Sequence, residues 1–562
     1  MLILNDVLFW AGAILSVISA YRMCLSERKQ GYKAVELHIS PRAFRILLAL
    51  AVLTAVAVRI YRFGLVPGGF NQDGAMAAVD GKALAEYGTD RFGMRLPVHL
   101  TAWGYGQMSA LLSYLMAPFI GLFGLSACTA RLPLLLVSLA GLACLYGFVR
   151  DAFGKNAALI VLWFAAINPW HILQSRWALD CNLYSHFFMA GVFLLNRAFL
   201  GGKRRRYLLA SMAAFGLCMY CYGVSIYTMP VFLLASCIYL LASGKVSPAD
   251  VLLSAAVYLL VAWPFIAVMA INFFRWDTVE TPLFTLPFFP DSVRSGDILF
   301  FSPDILSQLG ENIRALLRVT VLQGKDLPWN DVQDFGTMYL FSAPFAALGL
   351  FGLWRRLRGE TGAAILGIFL GTGIWCGIAT NTVNVNRLNI IYYPIMILTG
   401  YGIYEVVRSI RLPQLKLGMA TAYAGAFLLF VNMYFTGYAE EMEGHFRRDF
   451  GEAVSSLKGS GAEKLYITVG AGQHTALTEI LTLFWCDVDA AYFQGKSVPE
   501  GGLPYRERYI YHEIYDIAVD FAEDAVYVIV AEELPLFDGD RYAFRQFGRY
   551  YVVTRKGDGG GP

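Results

Sequence analysis

A chain of 562 residues that is 57% hydrophobic and only 15% charged, with a mean hydropathy of +0.51, has the balance of a polytopic membrane protein and not of a soluble enzyme. Its net charge of +3 is too small to point to nucleic acid, and its Lys and Arg residues gather in short loops between apolar runs, where they set orientation. Of nine cysteines only Cys486 lies in the polar C-terminal region, which excludes an internal disulfide there; Cys218 and Cys221 end an apolar run with no second pair, a packing pattern rather than a metal site.

No Lys or Arg precedes the first apolar run, at about 7–21, and a basic loop follows it, so it reads as a first span and not as a cleaved leader. Runs near the length of a bilayer crossing follow at about 46–62, 132–149, 157–170, 183–200, 207–221, 226–243, 250–271, 336–354, 361–379, 389–407 and 417–436, which makes about 12 spans. One more run, "GQMSALLSYLMAPFIGLF" at about 106–123, decides the topology. If it crosses, the basic loops "GGKRRR" (201–206) and "RRLR" (355–358) and the loop with Arg408, Arg411 and Lys416 all fall outside. The positive-inside rule therefore favours an interfacial or re-entrant helix ending at Pro118.

The chain then divides into an N-terminal span with a basic cytoplasmic loop (1–45), a transmembrane domain (46–436) whose first outer loop is 64–131 and carries interfacial helices, and a tail at 437–562. In the tail, "KLYITVG", "AVYVIVA" and "RYYVVTR" read as strands buried on both faces, with helices near 447–458 and 472–485 between them. A small extracytoplasmic α/β domain is expected. No internal repeat is evident, which weighs against an inverted-repeat transporter.

Ionised groups near the outer ends of spans are the functional candidates. Asp73, in "GFNQDGAM" (69–76), is flanked by Gly68, Gly69 and Gly74, which permit tight turns and close approach, and it precedes a helical pattern over 75–87. It reads both as a general base and as that helix's N-cap, and the two are compatible. Asp80 and Glu86 read as solvated faces of the same helix. Arg387, Arg176 and Arg131 occupy one membrane face, and their donor forks match phosphate oxygens, so together they suggest an anionic ligand; singly each reads as a snorkelling or carboxylate-paired side chain. Asn71, Gln72, His99, Gln107, His171 and Asp180 are candidates for the cavity lining. Trp103, Tyr105 and Tyr222, with Trp170 and Trp177, read as an interfacial aromatic belt, the first three also as cavity residues that could stack on a sugar.

In chain order Asp73, "EYGTDRFGMRLPVHL", "SYLMAPFIGLFGLSACTARLP", "NPWHILQSRWALDCNL" and "NRLNIIYYP" resemble the pattern of the GT-C membrane glycosyltransferases, in particular the family of protein O-mannosyltransferases and the lipid A aminoarabinose transferase. The likeness covers roughly residues 45–410. It implies the GT-C fold and an inverting transfer of a sugar from a polyprenyl-monophosphate donor to a hydroxyl acceptor on a protein, polymer, glycan or lipid. The active site and C-terminal domain would face outside a multi-pass plasma membrane, in a bacterial setting. It makes Asp73 the base and the arginines, Arg387 first, the donor phosphate contacts. No cofactor or metal is required, because arginine can neutralise a monophosphate leaving group. Two departures stand out: Gly74 replaces the Glu that usually follows the Asp, and "YCYGVS" stands where the aminoarabinose transferases carry a lysine. The alternatives are a transporter or flippase for a lipid-linked or anionic substrate, and a non-catalytic assembly protein whose outer domain binds a glycan or partner.

Overall fold

The computed structural model describes residues 2–28, 37–104, 106–290, 305–332, 334–470, 474–517 and 524–556. Tyr105 lies outside them. Among the described residues eight helices are long and apolar enough to cross a membrane: α1 (Leu2–Arg28), α2 (Pro41–Ile60), α5 (Ala127–Phe153), α10 (Ser225–Ala242), α11 (Pro248–Phe274), α14 (Thr361–Ala379), α15 (Val385–Ser409) and α16 (Pro413–Phe435). The other four expected spans are helices that are shorter or more polar: α6 (Lys155–Ile167), α8 (Asp180–Arg197), α9 (Arg204–Cys218) and α13 (Ala343–Arg356). These pack among the long ones, α6 against α2, α5 and α15, and α8 against α5, α9 and α15. Caps place the starts: Ser126 accepts from the Thr129 N–H (3.1 Å), Asn384 from the Arg387 N–H (3.0 Å), and Ser247 with Asp250 closes a capping box. Where α13 crosses α15, a Cβ on Gly349 would stand 1.9 Å from the Leu398 carbonyl oxygen, and one on Gly402 1.9 Å from that of Phe345. Backbone packs on backbone there, as small residues allow in membranes.

The connection from α2 to α5 holds α3 (Gln72–Tyr87), a hairpin of β1 (His99–Thr101) and β2 (Gln107–Ser109), and α4 (Leu111–Phe123). The expected interfacial helix is therefore shorter at its start, since 107–109 pair as a strand. It does not end at Pro118 but runs on to Phe123, because an internal proline removes only one hydrogen bond of the ladder. Beyond α7 (Pro169–Gln174), the later connection carries β3 (Val279–Glu280), β4 (Thr285–Leu286) and the amphipathic α12 (Ile305–Thr320).

After α17 (Gly437–His445) and α18 (Arg448–Ser455) comes a five-stranded sheet in the order β6-β5-β7-β9-β8. The expected strands are β5 (Lys464–Thr468), β7 (Ala525–Val530) and β9 (Tyr550–Arg555), and the expected helices are α18 and α19 (Thr475–Trp485). Two strands were not legible: β6 (Tyr509–His512) is only four residues, and β8 (Tyr542–Phe547) is an edge strand with four consecutive exposed residues. β6, β5 and β7 are parallel; β9 and β8 join antiparallel.

This domain is seated on the α2–α5 connection. The Phe70 N–H donates to the Phe446 carbonyl (2.8 Å), the Phe70 ring stacks on Phe484 (4.4 Å, 5°), Lys82 pairs with Asp487 (2.7 Å) and Tyr87 donates to Asp489 (2.6 Å). Gly69 has φ +73°, and a Cβ there would meet the Phe446 carbonyl oxygen at 2.3 Å, so only glycine serves.

Candidate active site

Asp73 lies in the first turn of α3, where the helix dipole favours a carboxylate. The N-cap is Asn71, not Asp73: with its amide turned so that both of its atoms find partners, the oxygen accepts from the Gly74 N–H (3.1 Å) and the nitrogen donates to the Ala178 carbonyl (3.2 Å). The cap position needs a short acceptor pointing at the third residue of the helix, and Asn71 reaches it. Asp73 is thereby released from capping. Its Oδ1 accepts from the Trp103 indole N–H at 2.6 Å, in the turn between β1 and β2.

A buried relay fixes Trp103. Asp80, one of the residues expected on a solvated face, is wholly buried: its carboxylate accepts from the Arg91 backbone N–H (3.0 Å) and pairs with the Arg91 guanidinium (2.6 Å). The other Arg91 nitrogen donates to the carbonyls of Thr101 (2.9 Å) and Ala102 (3.2 Å), immediately before Trp103. Burial raises the Asp80 carboxyl against the opposing pull of Arg91. The far side of Trp103 meets the edge of His474, the N-cap of α19.

The second wall is the start of α8. Asp180 is buried at its first position, and its Oδ1 accepts from the Cys181 N–H (2.7 Å). The Ala178 carbonyl, two residues before Asp180, packs on Gly74 of α3, so the start of α8 lies against the helix turn that carries Asp73. Tyr222 packs against the small cluster of Trp177, Leu179, Cys181 and Phe446 beside them. Asn389, absent from the sequence candidates, ties this wall to α15: its amide nitrogen donates to the Cys181 carbonyl (3.2 Å) and Asn182 Oδ1 (3.1 Å), while its oxygen accepts from Trp170 (3.0 Å). Two residues earlier, half-buried Arg387 donates to Asn381 Oδ1 (3.2 Å) and Thr380 Oγ1 (3.4 Å). The "NxxN" spacing around Arg387 in "NRLN" is the one signal the sequence offers for Asn389, and it is a weak one.

Several expected site residues lie elsewhere. The Arg176 guanidinium is fully buried and donates to the carbonyls of Val58, Arg59, Tyr61 and Val66 at 2.7–3.0 Å and to the Tyr434 hydroxyl at 3.1 Å. Arg131 is equally buried, with its forks on the carbonyls of Gly64 (3.1 Å), Pro67 (2.9 Å) and Gly69 (2.8 Å). Neither is a phosphate contact here: the end of α2 and the turn after it leave orphan carbonyls, and these two guanidiniums satisfy them. His171 is not in the cavity but in the helical core, between Arg59 (3.0 Å) and Tyr393 (3.2 Å), with His186 on the same Tyr393 hydroxyl (2.9 Å). Trp170 and Trp177 are buried at 0% and 2% exposure, not interfacial. His99 is buried against Phe265 and Phe289, and Gln107 is buried opposite Thr101 in the hairpin; Gln72 opens α3, half-buried.

The glycine that replaces the usual Glu is required by packing. A Cβ at Gly74 would stand 2.6 Å from the Ala178 carbonyl oxygen. Installing the family residue, Gly74→Glu, is expected to push the 175–179 loop off α3, lower the melting temperature and lower turnover, read by thermal unfolding and by product formation on one preparation. Gain of activity would mean that the loop yields without cost.

Residues 109–271, from β2 to near the end of α11, match the family model described as dolichyl-phosphate-mannose-protein mannosyltransferase. No curated protein sequence matches the chain. Among solved structures, the fold is similar to ArnT from Cupriavidus metallidurans bound to undecaprenyl phosphate, 14% identical, covering 93% of this chain and 100% of that one with a TM-score of 0.55. The apo state of the same ArnT gives 14% identity, 91% and 97% coverage and a TM-score of 0.52. Asp73 and Arg387 lie on either side of the stretch that the family model matches.

Proposed function

We propose that the chain is a membrane glycosyltransferase of the GT-C type and an inverting transferase, a reading supported by the family model over residues 109–271 and by the likeness in fold to ArnT. It moves a sugar from a polyprenyl-monophosphate donor to a hydroxyl acceptor at the outer face of the membrane. The observation that carries this reading is Asp73, freed from capping by Asn71, held by Trp103 and set beside a wall that is bonded through Asn389 to the helix turn of Arg387.

An acceptor hydroxyl is a weak nucleophile. As its oxygen attacks the anomeric carbon, Asp73 takes its proton, and the bond from that carbon to the phosphate oxygen breaks on the opposite side of the sugar. One displacement inverts the configuration, and no second carboxylate need form a glycosyl ester. The departing polyprenyl phosphate gains charge, which Arg387, in the first turn of α15, stabilises in this reading.

Removing that stabilisation, Arg387→Gln, is expected to cost roughly 10²–10³ in turnover while the folded protein is retained. The measurement is release of free polyprenyl phosphate from a panel of polyprenyl-phosphate sugars in the presence of mixed hydroxyl acceptors. Release with one donor, lost with Arg387→Gln and with Asp73→Asn, supports the transferase. No release with any donor, while a fluorescent lipid-linked sugar crosses a reconstituted bilayer, would replace it with a flippase.

A further inference from the structure

α8, α9, α10 and α11 enclose a cleft of about 340 Å³. It lies toward the membrane face opposite Asp73, because α8 runs from Asp180 at the site to Arg197 at the far side, where α9 and α11 begin. Leu195, Leu208, Met212, Leu233 and Leu240 line it, and Leu234 on its wall is 63% exposed, so it opens sideways toward the hydrocarbon of the bilayer.

Two polar groups sit in this apolar wall. Ser236 and Ser254 are more than nine-tenths buried, and neither hydroxyl has a hydrogen-bond partner among the described residues. A helical serine or threonine ordinarily turns back to the carbonyl four residues earlier, as Thr228 does within α10 and Ser243 at its C-cap (both 2.7 Å). Ser236 and Ser254 do not. Buried unpaired donors are costly, so an acceptor in the cleft would be favoured there.

The rim is cationic. Asp250 is already neutralised by Arg204 (2.7 Å) and Arg205 (3.0 Å), and Ser247 caps it. The side-chain nitrogens of Lys203, Arg206 and Lys245 make no ion pair or hydrogen bond among the described residues; the first two are exposed and the third is half-buried. Ser254 lies one helical turn below Asp250, about 6 Å along the axis, and Ser236 about 9 Å below the end of α10. From rim to floor the order is cations, then hydroxyl donors, then hydrocarbon.

We infer that this cleft holds a glycerophospholipid with an anionic headgroup, its phosphate among Lys203, Arg206 and Lys245, its ester carbonyls on Ser236 and Ser254, and one acyl chain between α9 and α10. A neutral lipid would leave the rim unmatched, and a hydrocarbon without esters would leave both hydroxyls unpaired.

The test uses the full chain in vesicles of equal parts phosphatidylcholine and phosphatidylglycerol, with a photoreactive acyl chain on one lipid or the other. Labelling of Met212, Leu233 or Leu240 is mapped by mass spectrometry. Phosphatidylglycerol is expected to label these residues at least about fivefold more than phosphatidylcholine. Lys203→Glu with Arg206→Glu, both at the surface, should equalise the two lipids. Ser254→Trp should abolish labelling in the cleft and leave that of the bilayer-facing Leu252 and Leu260 unchanged. Equal labelling by the two lipids in the unaltered protein, or labelling of the cleft no higher than that of Leu252, would overturn the inference whether or not Ser254→Trp folds.

Discussion

Asp73→Asn is expected to lower turnover by roughly 10²–10⁴-fold, the usual worth of a positioned general base. The substitution is nearly isosteric. Its amide oxygen still accepts from the Trp103 indole, and Asn71 still caps α3, so the geometry around the site is kept. What is lost is the ability to take a proton, along with a first-turn charge worth about 0.3–1 kcal/mol to the helix. The expected pattern is therefore an unchanged melting temperature, unchanged binding of polyprenyl phosphate and a fall in kcat. A variant with full turnover would remove Asp73 from the chemistry and leave it a structural residue that holds Trp103.

Arg176→Met carries the second large effect, and it falls on stability. The guanidinium satisfies carbonyls of the last turn of α2 and of the segment that follows, and its flat face lies over Tyr434 (5.4 Å) and Phe435 (4.9 Å). Methionine fills much of the volume and satisfies none of the oxygens, and each buried acceptor left alone costs about 1–3 kcal/mol. A loss of about 3–5 kcal/mol is expected, seen as a large drop in melting temperature in detergent, with activity lost in parallel. Arg176→Lys should recover only part of it, because a point charge cannot serve four carbonyls at once. If Arg176→Met instead kept its melting temperature and weakened only donor binding, the side chain would return to the set of phosphate contacts.

These two residues show how far the sequence could be read. Both are polar groups next to apolar runs, and the same physics of costly burial singled out both. Burial can be compensated in two ways, by a ligand or by the protein's own backbone, and the one-dimensional pattern does not distinguish them. Arg176 and Arg131 turned out to be compensated internally, Arg387 by side chains at a half-buried helix start. Asp80 shows the converse: its helical spacing puts it off the apolar stripe, yet Arg91 and the hairpin cover it and its carboxylate is interior, whereas Glu86, expected on the same solvated face, is exposed.

Long-run hydropathy determined the membrane class and the positions of the helices, because the cost of unpaired backbone in lipid leaves only helices as solutions over such lengths. Alternation and β-branched runs determined three strands of the C-terminal domain. Only the tertiary structure decided that Asn71 caps α3, that Trp103 grips Asp73, that Asn389 joins α15 to α8, and that the C-terminal domain sits on the Asp73 connection through Phe446 and Phe484. Each of these is a single directional contact between residues far apart in the chain. Such contacts leave no period in the sequence, since what selects them is the geometry of elements already packed.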